Sequence, residues 1–243
     1  MTSLSSNDLT IGIYVPSYKR ADVIKTDRIL NDCTYVVRKS EEDMYRQAGV
    51  RKLLAADDDQ INSLPKIRQW IIDNAPEDIV VQIDDDLDFF AYVNKINFER
   101  IEDPDIVDGE IERVAQMLVD LNIGFASIDM QLNVIKYSRE FEFKSTIGTV
   151  CWFNKQALKS RYDTNVTTKG DIDFELQELL RNRIILIPSY FRVKAMVDKN
   201  KGGANVGKNS AKVKQNVDYL KTKWGKYYCH DYTTNKSKVK VNR

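Results

Sequence analysis

The chain has 243 residues, 42% of them apolar and 30% charged, with a formal net charge of +1. That is enough apolar material for one sizeable core, while no run of about 18 apolar residues is present to span a bilayer. The opening MTSLSSNDLT lacks the basic and apolar segments of a secretory signal, and Cys33, Cys151 and Cys229 are too few and scattered for a disulfide framework or a CxxC zinc knuckle, so a soluble protein of the reducing cytoplasm is expected.

The small net charge conceals an asymmetry. Residues 1–198 carry 25 Lys/Arg against 34 Asp/Glu, a balance of −9, whereas residues 199–243 carry 12 against 2, a balance of +10. The expected organisation is therefore a catalytic domain over 1–198 and a basic C-terminal extension over 199–243, a loop plus a helix. That extension either completes the active site or binds a polyanion such as nucleic acid, and a merely solubilising tail is the plain alternative.

In chain order, residues 10–15 (TIGIYV) read as a buried strand that stops at Pro16-Ser17-Tyr18. A helix is expected over 21–30, a strand over 34–37, then a helix opened by Ser40 as cap with Glu41, Glu42 and Asp43 at its positive end. A third apolar run at 51–56 precedes a helix capped by Ser63, carrying Pro65 in its first turn and Ile67, Trp70 and Ile71 at helical spacing. Residues 79–83 (IVVQI) form the next strand and run directly into Asp84-Asp85-Asp86. Further on, the pattern predicts a helix over 108–121, a strand over 124–128, a β-rich stretch over 141–153, a helix over 170–183 and a strand over 184–187. Residues 199–207 (KNKGGANVG) read as a glycine-rich basic loop. Such alternation specifies an α/β, Rossmann-like fold, a mixed and mostly parallel sheet flanked by helices, whose ligands bind beyond the carboxyl ends of the strands.

Three aspartates at the end of a buried strand repel one another and need a cation, of which a divalent metal is the simplest. Alternation along an extended chain would put Asp84 and Asp86 on one face and Asp85 on the other. Magnesium and manganese favour such oxygen ligands together with a diphosphate. A solvated acidic turn is the alternative, and the apolar flanks, IVVQI before and Leu87, Phe89 and Phe90 after, argue against it.

The segments IYVPSYKR (13–20), KIRQWI (66–71), VVQIDDDLDF (80–89) and GDIDFELQELLRNRIILIP (170–188) together resemble a GT-A glycosyltransferase, and within that class the phage TET/JBP-associated enzymes that modify DNA bases. The resemblance covers about residues 10–190. It implies that Pro16, Tyr18, Arg20 and Arg38 line a nucleotide pocket, that Lys66 and Arg68 face the donor diphosphate, and that Asp84 and Asp85 contact the donor. It further implies Mn2+ or Mg2+ held by Asp84 and Asp86 with His230 as an added ligand, and Asp171 or Asp173 as the base that deprotonates an acceptor hydroxyl. Either of the last two aspartates has an N-cap as its alternative role, and Gly170 stands where many inverting relatives carry a glutamate. In the second triplet, Asp57-Asp58-Asp59, a loop and capping role is expected, with Asp57 a candidate contact to the donor base.

The implied donor is a UDP-sugar and the implied acceptor a hydroxymethylpyrimidine of DNA, in a duplex, a single strand or a free nucleotide. Tail residues Lys199, Lys201, Lys208, Lys212, Lys214, Lys221, Lys223 and Lys226, interleaved with Tyr219, Trp224, Tyr227 and Tyr228, suit phosphate contact with base stacking. The competing readings are a nucleotidyltransferase or nuclease-type metal enzyme, and a noncatalytic nucleic-acid-binding protein. Pro16-Ser17-Tyr18 in place of a glycine-rich loop favours sugar transfer over the first.

Overall fold

Four parallel strands form the centre of the computed structural model, which describes residues 9–93, 97–130, 132, 139–143, 147–195 and 209–241. They are β1 (Ile11–Pro16), β2 (Thr34–Arg38), β3 (Leu53–Ala56) and β4 (Ile79–Ile83). Strand β4 is buried at every position, as expected of a parallel strand covered on both faces. Helix α1 (Glu42–Gln47) connects β2 to β3, and α2 (Leu64–Asn74) connects β3 to β4. Beyond β4 the sheet turns antiparallel through β9 (Val150–Asn154), which is flanked by β7 (Phe125–Ser127), giving the order β3-β2-β1-β4-β9-β7.

Period-two alternation divides the core between the two faces of this sheet. Val15, Tyr35, Val37, Val81 and Trp152 pack on one side against α3 (Pro104–Asp120) through Val107, Ile111, Val114 and Leu118. Tyr14, Val36, Val80 and Phe153 pack on the other against α2 and against α4 (Gly170–Arg181) through Phe174 and Leu179. The second cluster also takes in Val217 and Leu220 of α5 (Ser210–Trp224), both fully buried.

A smaller antiparallel sheet is built from β5 (Leu87–Val93), β6 (Asn97–Arg100) and β11 (Phe191–Ala195), in the order β11-β5-β6. Short strands β8 (Phe141–Glu142) and β10 (Ile187–Pro188) pair with each other, and β12 (Tyr228–Asp231) forms a hairpin with β13 (Lys236–Val239). The expected fold class, a mixed and mostly parallel sheet flanked by helices in one domain, is the observed one. Among the described residues no helix is long and apolar enough to cross a membrane.

Several local expectations need correction. The helix over 21–30 does not form. Only a single 3-10 turn, Thr26–Arg28, is present, because the backbone N–H groups of Lys25 and Thr26 donate instead to the Asp85 carbonyl, each at 3.2 Å. A tertiary hydrogen bond has overridden helical propensity there. Ser40 does not cap α1; its hydroxyl donates to Asp58, and Glu41 holds the N-cap position. Ser63 holds the N-cap position of α2 without making a side-chain capping bond. Strands β5, β6, β11, β12 and β13 were not anticipated, and the 199–207 loop, with Lys199, Lys201 and Lys208, lies outside the described residues.

Candidate functional site

Strands β1 and β4 are adjacent and parallel, so their carboxyl ends deliver Pro16-Ser17-Tyr18 and the aspartate triplet side by side. A cleft opens there. Pro16, Tyr18, Arg20, Arg38, Asp84 and Asp85 line it, as do Asn62 and Ser63 just before α2 and Ile67 within it, and Thr167, Thr168 and Lys212 complete it.

Each carboxylate of the triplet has a cationic neighbour. Asp84 accepts from Arg68 Nη2 at 2.9 Å, and Arg68 itself is 7% exposed. Asp85 accepts from Arg20 Nη1 at 2.7 Å and from the Ser17 hydroxyl at 2.5 Å. Asp86, also buried, lies 3.6 Å from Arg20 Nη1. The expected alternation, with Asp84 and Asp86 together and Asp85 opposed, therefore gives way to a different pairing, in which Asp85 and Asp86 share Arg20 and Asp84 takes Arg68. The reason is that regular strand ends at Ile83 and the chain turns through the triplet before β5. Burial pushes Asp84 up to about 6, with Arg68 opposing the shift. Burial likewise raises Asp85 against the pull of Ser17 and Arg20.

Tyr45 of α1 anchors the loop after β1, its hydroxyl 2.7 Å from Ser17 Oγ and 3.1 Å from the Arg20 backbone N–H that donates to it. Arg38, at the end of β2, lies over the Tyr18 ring, its guanidinium carbon 3.8 Å from the ring centroid. The cleft also holds buried polar atoms that lack a hydrogen-bond partner: Arg20 Nε, Arg38 Nε and the hydroxyls of Ser63, Thr167 and Thr168. Buried groups of this kind are normally satisfied, and every one of these can donate, so the cleft is suited to a ligand rich in acceptors.

Other predicted residues lie elsewhere. Lys66 is not among the cleft-lining residues and donates to the Asp59 carbonyl at 3.3 Å, while Arg68 sits behind Asp84. Ile67 faces the cleft, and a helix turns its two sequence neighbours about 100° to either side. Asp57 is exposed, 3.7 Å from Lys39 Nζ, and likewise does not line the cleft.

Asp173 is not placed to act as a base. At 1% exposure it accepts from Lys223 Nζ at 2.9 Å, Trp224 Nε1 at 2.7 Å and Gln177 Nε2 at 2.9 Å, which makes it the anchor between α4 and α5. Asp171, in the first turn of α4, is half-buried and shifted upward by burial, with the Ile172 N–H and Arg68 opposing, and it too is not among the cleft-lining residues. Neither aspartate is the N-cap, a position held by Lys169 at φ 65°.

His230 lies in a separate groove with Val213, Lys214 and Tyr232, its Nδ1 3.1 Å from Ser237 Oγ, so the expected ligand set of Asp84, Asp86 and His230 is not assembled. The C-terminal aromatics are corrected as well. Tyr228 is buried and Trp224 is bonded to Asp173, so these two pack the extension onto the body, while Tyr219 is tied to Asp163 through its hydroxyl at 2.8 Å and stays exposed.

Ser17, Asn62, Thr167 and Thr168 were not singled out from sequence, and Lys212 was noted only as one basic tail residue. Ser17 had a signal, its place inside Pro-Ser-Tyr; the threonine pair had none.

A divalent cation was tested against this donor set. No group of three or more His, Cys, Asp or Glu among the described residues is arranged to hold a metal ion. Asp84 is nevertheless a hard oxygen donor on a cleft suited to phosphate, and magnesium is commonly held by one or two carboxylates plus substrate phosphates. Asp84, which lines the cleft, fits that mode as a single carboxylate, whereas Asp86 is buried and is not among the lining residues.

No family model matches the chain, and no curated protein matches it. Among solved structures, a mycobacterial protein superposes with a TM-score of 0.51 at 12% identity, over 95% of this chain and 82% of that one. Residues 1–349 of S. aureus TarS, in complex with UDP, give 0.46 at 15% identity over 76% of this chain and 60% of that one. A CMP:2-keto-3-deoxy-manno-octonic acid synthetase complexed with CTP gives 0.37 at 12% identity, over 74% and 88% of the two chains. The mycobacterial structure speaks to the fold alone, and the other two superpositions are too loose to carry an argument. This chain spans about three fifths of the TarS segment it matches.

Proposed function

We propose that the cleft binds a nucleotide diphosphate sugar, a UDP-sugar, and that the protein transfers the sugar to an acceptor hydroxyl as a GT-A-type glycosyltransferase. The observation that carries this reading is the convergence, beyond β1 and β4, of the Tyr18–Arg38 stack and the buried unpartnered donors beside the acidic turn. An aromatic face suits the base, guanidinium and hydroxyl donors suit the diphosphate, and Asp85 suits the ribose hydroxyls. Asp84 would hold Mg2+ or Mn2+, which when bound offsets charge on the departing diphosphate.

Arg20 and Arg38 hold the diphosphate oxygens and stabilise the charge that develops on them. Asp171 takes the acceptor proton in this reading, because Asp173, the other candidate, is committed to Lys223 and Trp224. The acceptor oxygen bonds to the anomeric carbon, the bond from that carbon to the diphosphate oxygen breaks, and the electron pair leaves with the nucleoside diphosphate.

The acceptor in this reading is a hydroxymethylpyrimidine of DNA, and its support is charge. Lys221, Lys226, Lys236, Lys238 and Lys240 are all exposed on the C-terminal helix and hairpin. Changing them together to Gln should flatten the salt dependence of DNA binding. The donor reading is tested by calorimetry with UDP-glucose, other UDP-sugars and plain nucleotides, with and without manganese. Manganese-dependent binding that is lost in Asp84→Ala is the expected result, and heat from none of the ligands would overturn it.

A further inference from the structure

Part of the cleft lining is supplied by Thr167, Thr168 and Lys212, which come from two segments remote in sequence from β1 and β4. Helix α5 pins both. The Thr168 N–H donates to Asn216 Oδ1 at 2.9 Å, and Asn216 is 4% exposed. Asp163, at the start of the same loop, accepts from Lys223 Nζ and from the Tyr219 hydroxyl, each at 2.8 Å. Asp173 holds Trp224 and Lys223 from the other side. With Val217 and Leu220 in the core, the position of α5 is fixed, and with it the site from which Lys212 reaches the cleft.

The lysines of α5 then divide by use. Lys214 is committed to Asp218 at 2.6 Å and Lys223 to Asp163 and Asp173, whereas no described carboxylate pairs with Lys212. Lys212 borders the same space as the unpartnered hydroxyls of Thr167 and Thr168 and as Arg20 and Arg38. One ammonium and two hydroxyls from the C-terminal half of the chain join two guanidinium groups from the β1 and β2 ends around one space, more donors than a single phosphate group takes up. A diphosphate carries enough acceptor oxygens to engage both groups of donors, whereas a single phosphate can be held by one group alone.

We infer that Lys212, Thr167 and Thr168 form a second group of phosphate donors, through which the C-terminal helix makes the cleft select a nucleoside diphosphate over the monophosphate. The inference rests on the donor-site reading above and deepens it.

The test is calorimetry of UDP and UMP, in magnesium buffer, against the wild-type chain and the variants Lys212→Gln, Thr168→Val and, as a neighbouring control, Lys214→Gln. Loss of one charge-assisted contact should weaken UDP by roughly tenfold in Lys212→Gln, with UMP unchanged. Thr168→Val should follow in the same direction by a smaller factor, Lys212→Arg should restore the preference, and Lys214→Gln should leave both affinities alone. Equal losses for UDP and UMP, or no loss in Lys212→Gln, would overturn the second group while leaving the donor site standing. Wild-type protein that binds neither nucleotide would overturn the donor-site reading, and this inference with it. Urea unfolding of Lys212→Gln, expected to match wild type, separates a lost contact from a lost fold.

Discussion

Two acidic clusters in this molecule are handled in opposite ways. At the end of β4, Asp84 and Asp85 are neutralised by Arg68 and Arg20 yet still border the cleft. At the junction of α4 and α5, Asp163 and Asp173 are neutralised by Lys223 and closed over by Tyr219 and Trp224. Both clusters solve the same electrostatic problem, since a carboxylate withdrawn from water needs a cation or strong donors. They differ in what remains available afterwards. The first leaves acidic and basic groups beside an open space, whereas the second uses its bonding capacity to hold two helices together.

The sharpest break between them lies inside α4. Asp171→Asn should lower turnover by about a thousandfold with the fold intact, as removal of a general base does. Asp173→Asn should lower the urea midpoint and leave turnover at saturating substrate close to wild type. The reverse result would return the base to Asp173.

Arg68→Ala should be the next largest, costing about 3 kcal/mol in urea unfolding, because it strands Asp84 partly buried without its cation. Asp163→Asn is the matching test at the second cluster. Burial pushes Asp163 up, but the bonds from Lys223 and Tyr219 outweigh it and hold the group at about 2, below the ordinary 3.8. A depressed carboxylate stabilises the fold above the ordinary value and loses that contribution as pH falls toward 2. The variant should therefore be about 2 kcal/mol less stable at neutral pH, with the gap closing between pH 4 and 2 in denaturant titrations. The smallest effect belongs to the cleft surface: Tyr18→Leu should weaken UDP by about fivefold, with stability unchanged, if base stacking is worth about 1 kcal/mol.

The same contrast explains what could be read in advance. The parallel half of the fold was legible because β1 to β4 and α2 are short apolar runs whose period and punctuation are local, and the triplet ends the most buried strand. Side-chain partners were not legible. Asp84 to Asp86 and Asp171 to Asp173 are both short runs of acid beside an apolar segment, and what separates them is that Lys223 and Trp224, some fifty residues on, fold back onto one of them. The hairpin of β12 and β13 was missed because its strands are polar and only Tyr228 among their residues is buried. His230 was drawn toward a metal by its chemistry alone, while its actual surroundings depend on that hairpin.

The two donor groups of the cleft also differ in birth order. A ribosome releases Arg20, Arg38 and the aspartate triplet first, and must then make all of α3, β9 and α4 before Lys212 and the residues that pin α5 exist. Until then the nascent chain carries a half-built pocket with only its first group of donors. If both groups grip the diphosphate, a growing chain would hold nucleotides no better than one group allows, and full affinity would arrive with the closing of the longest-range contacts, which are also the slowest to form.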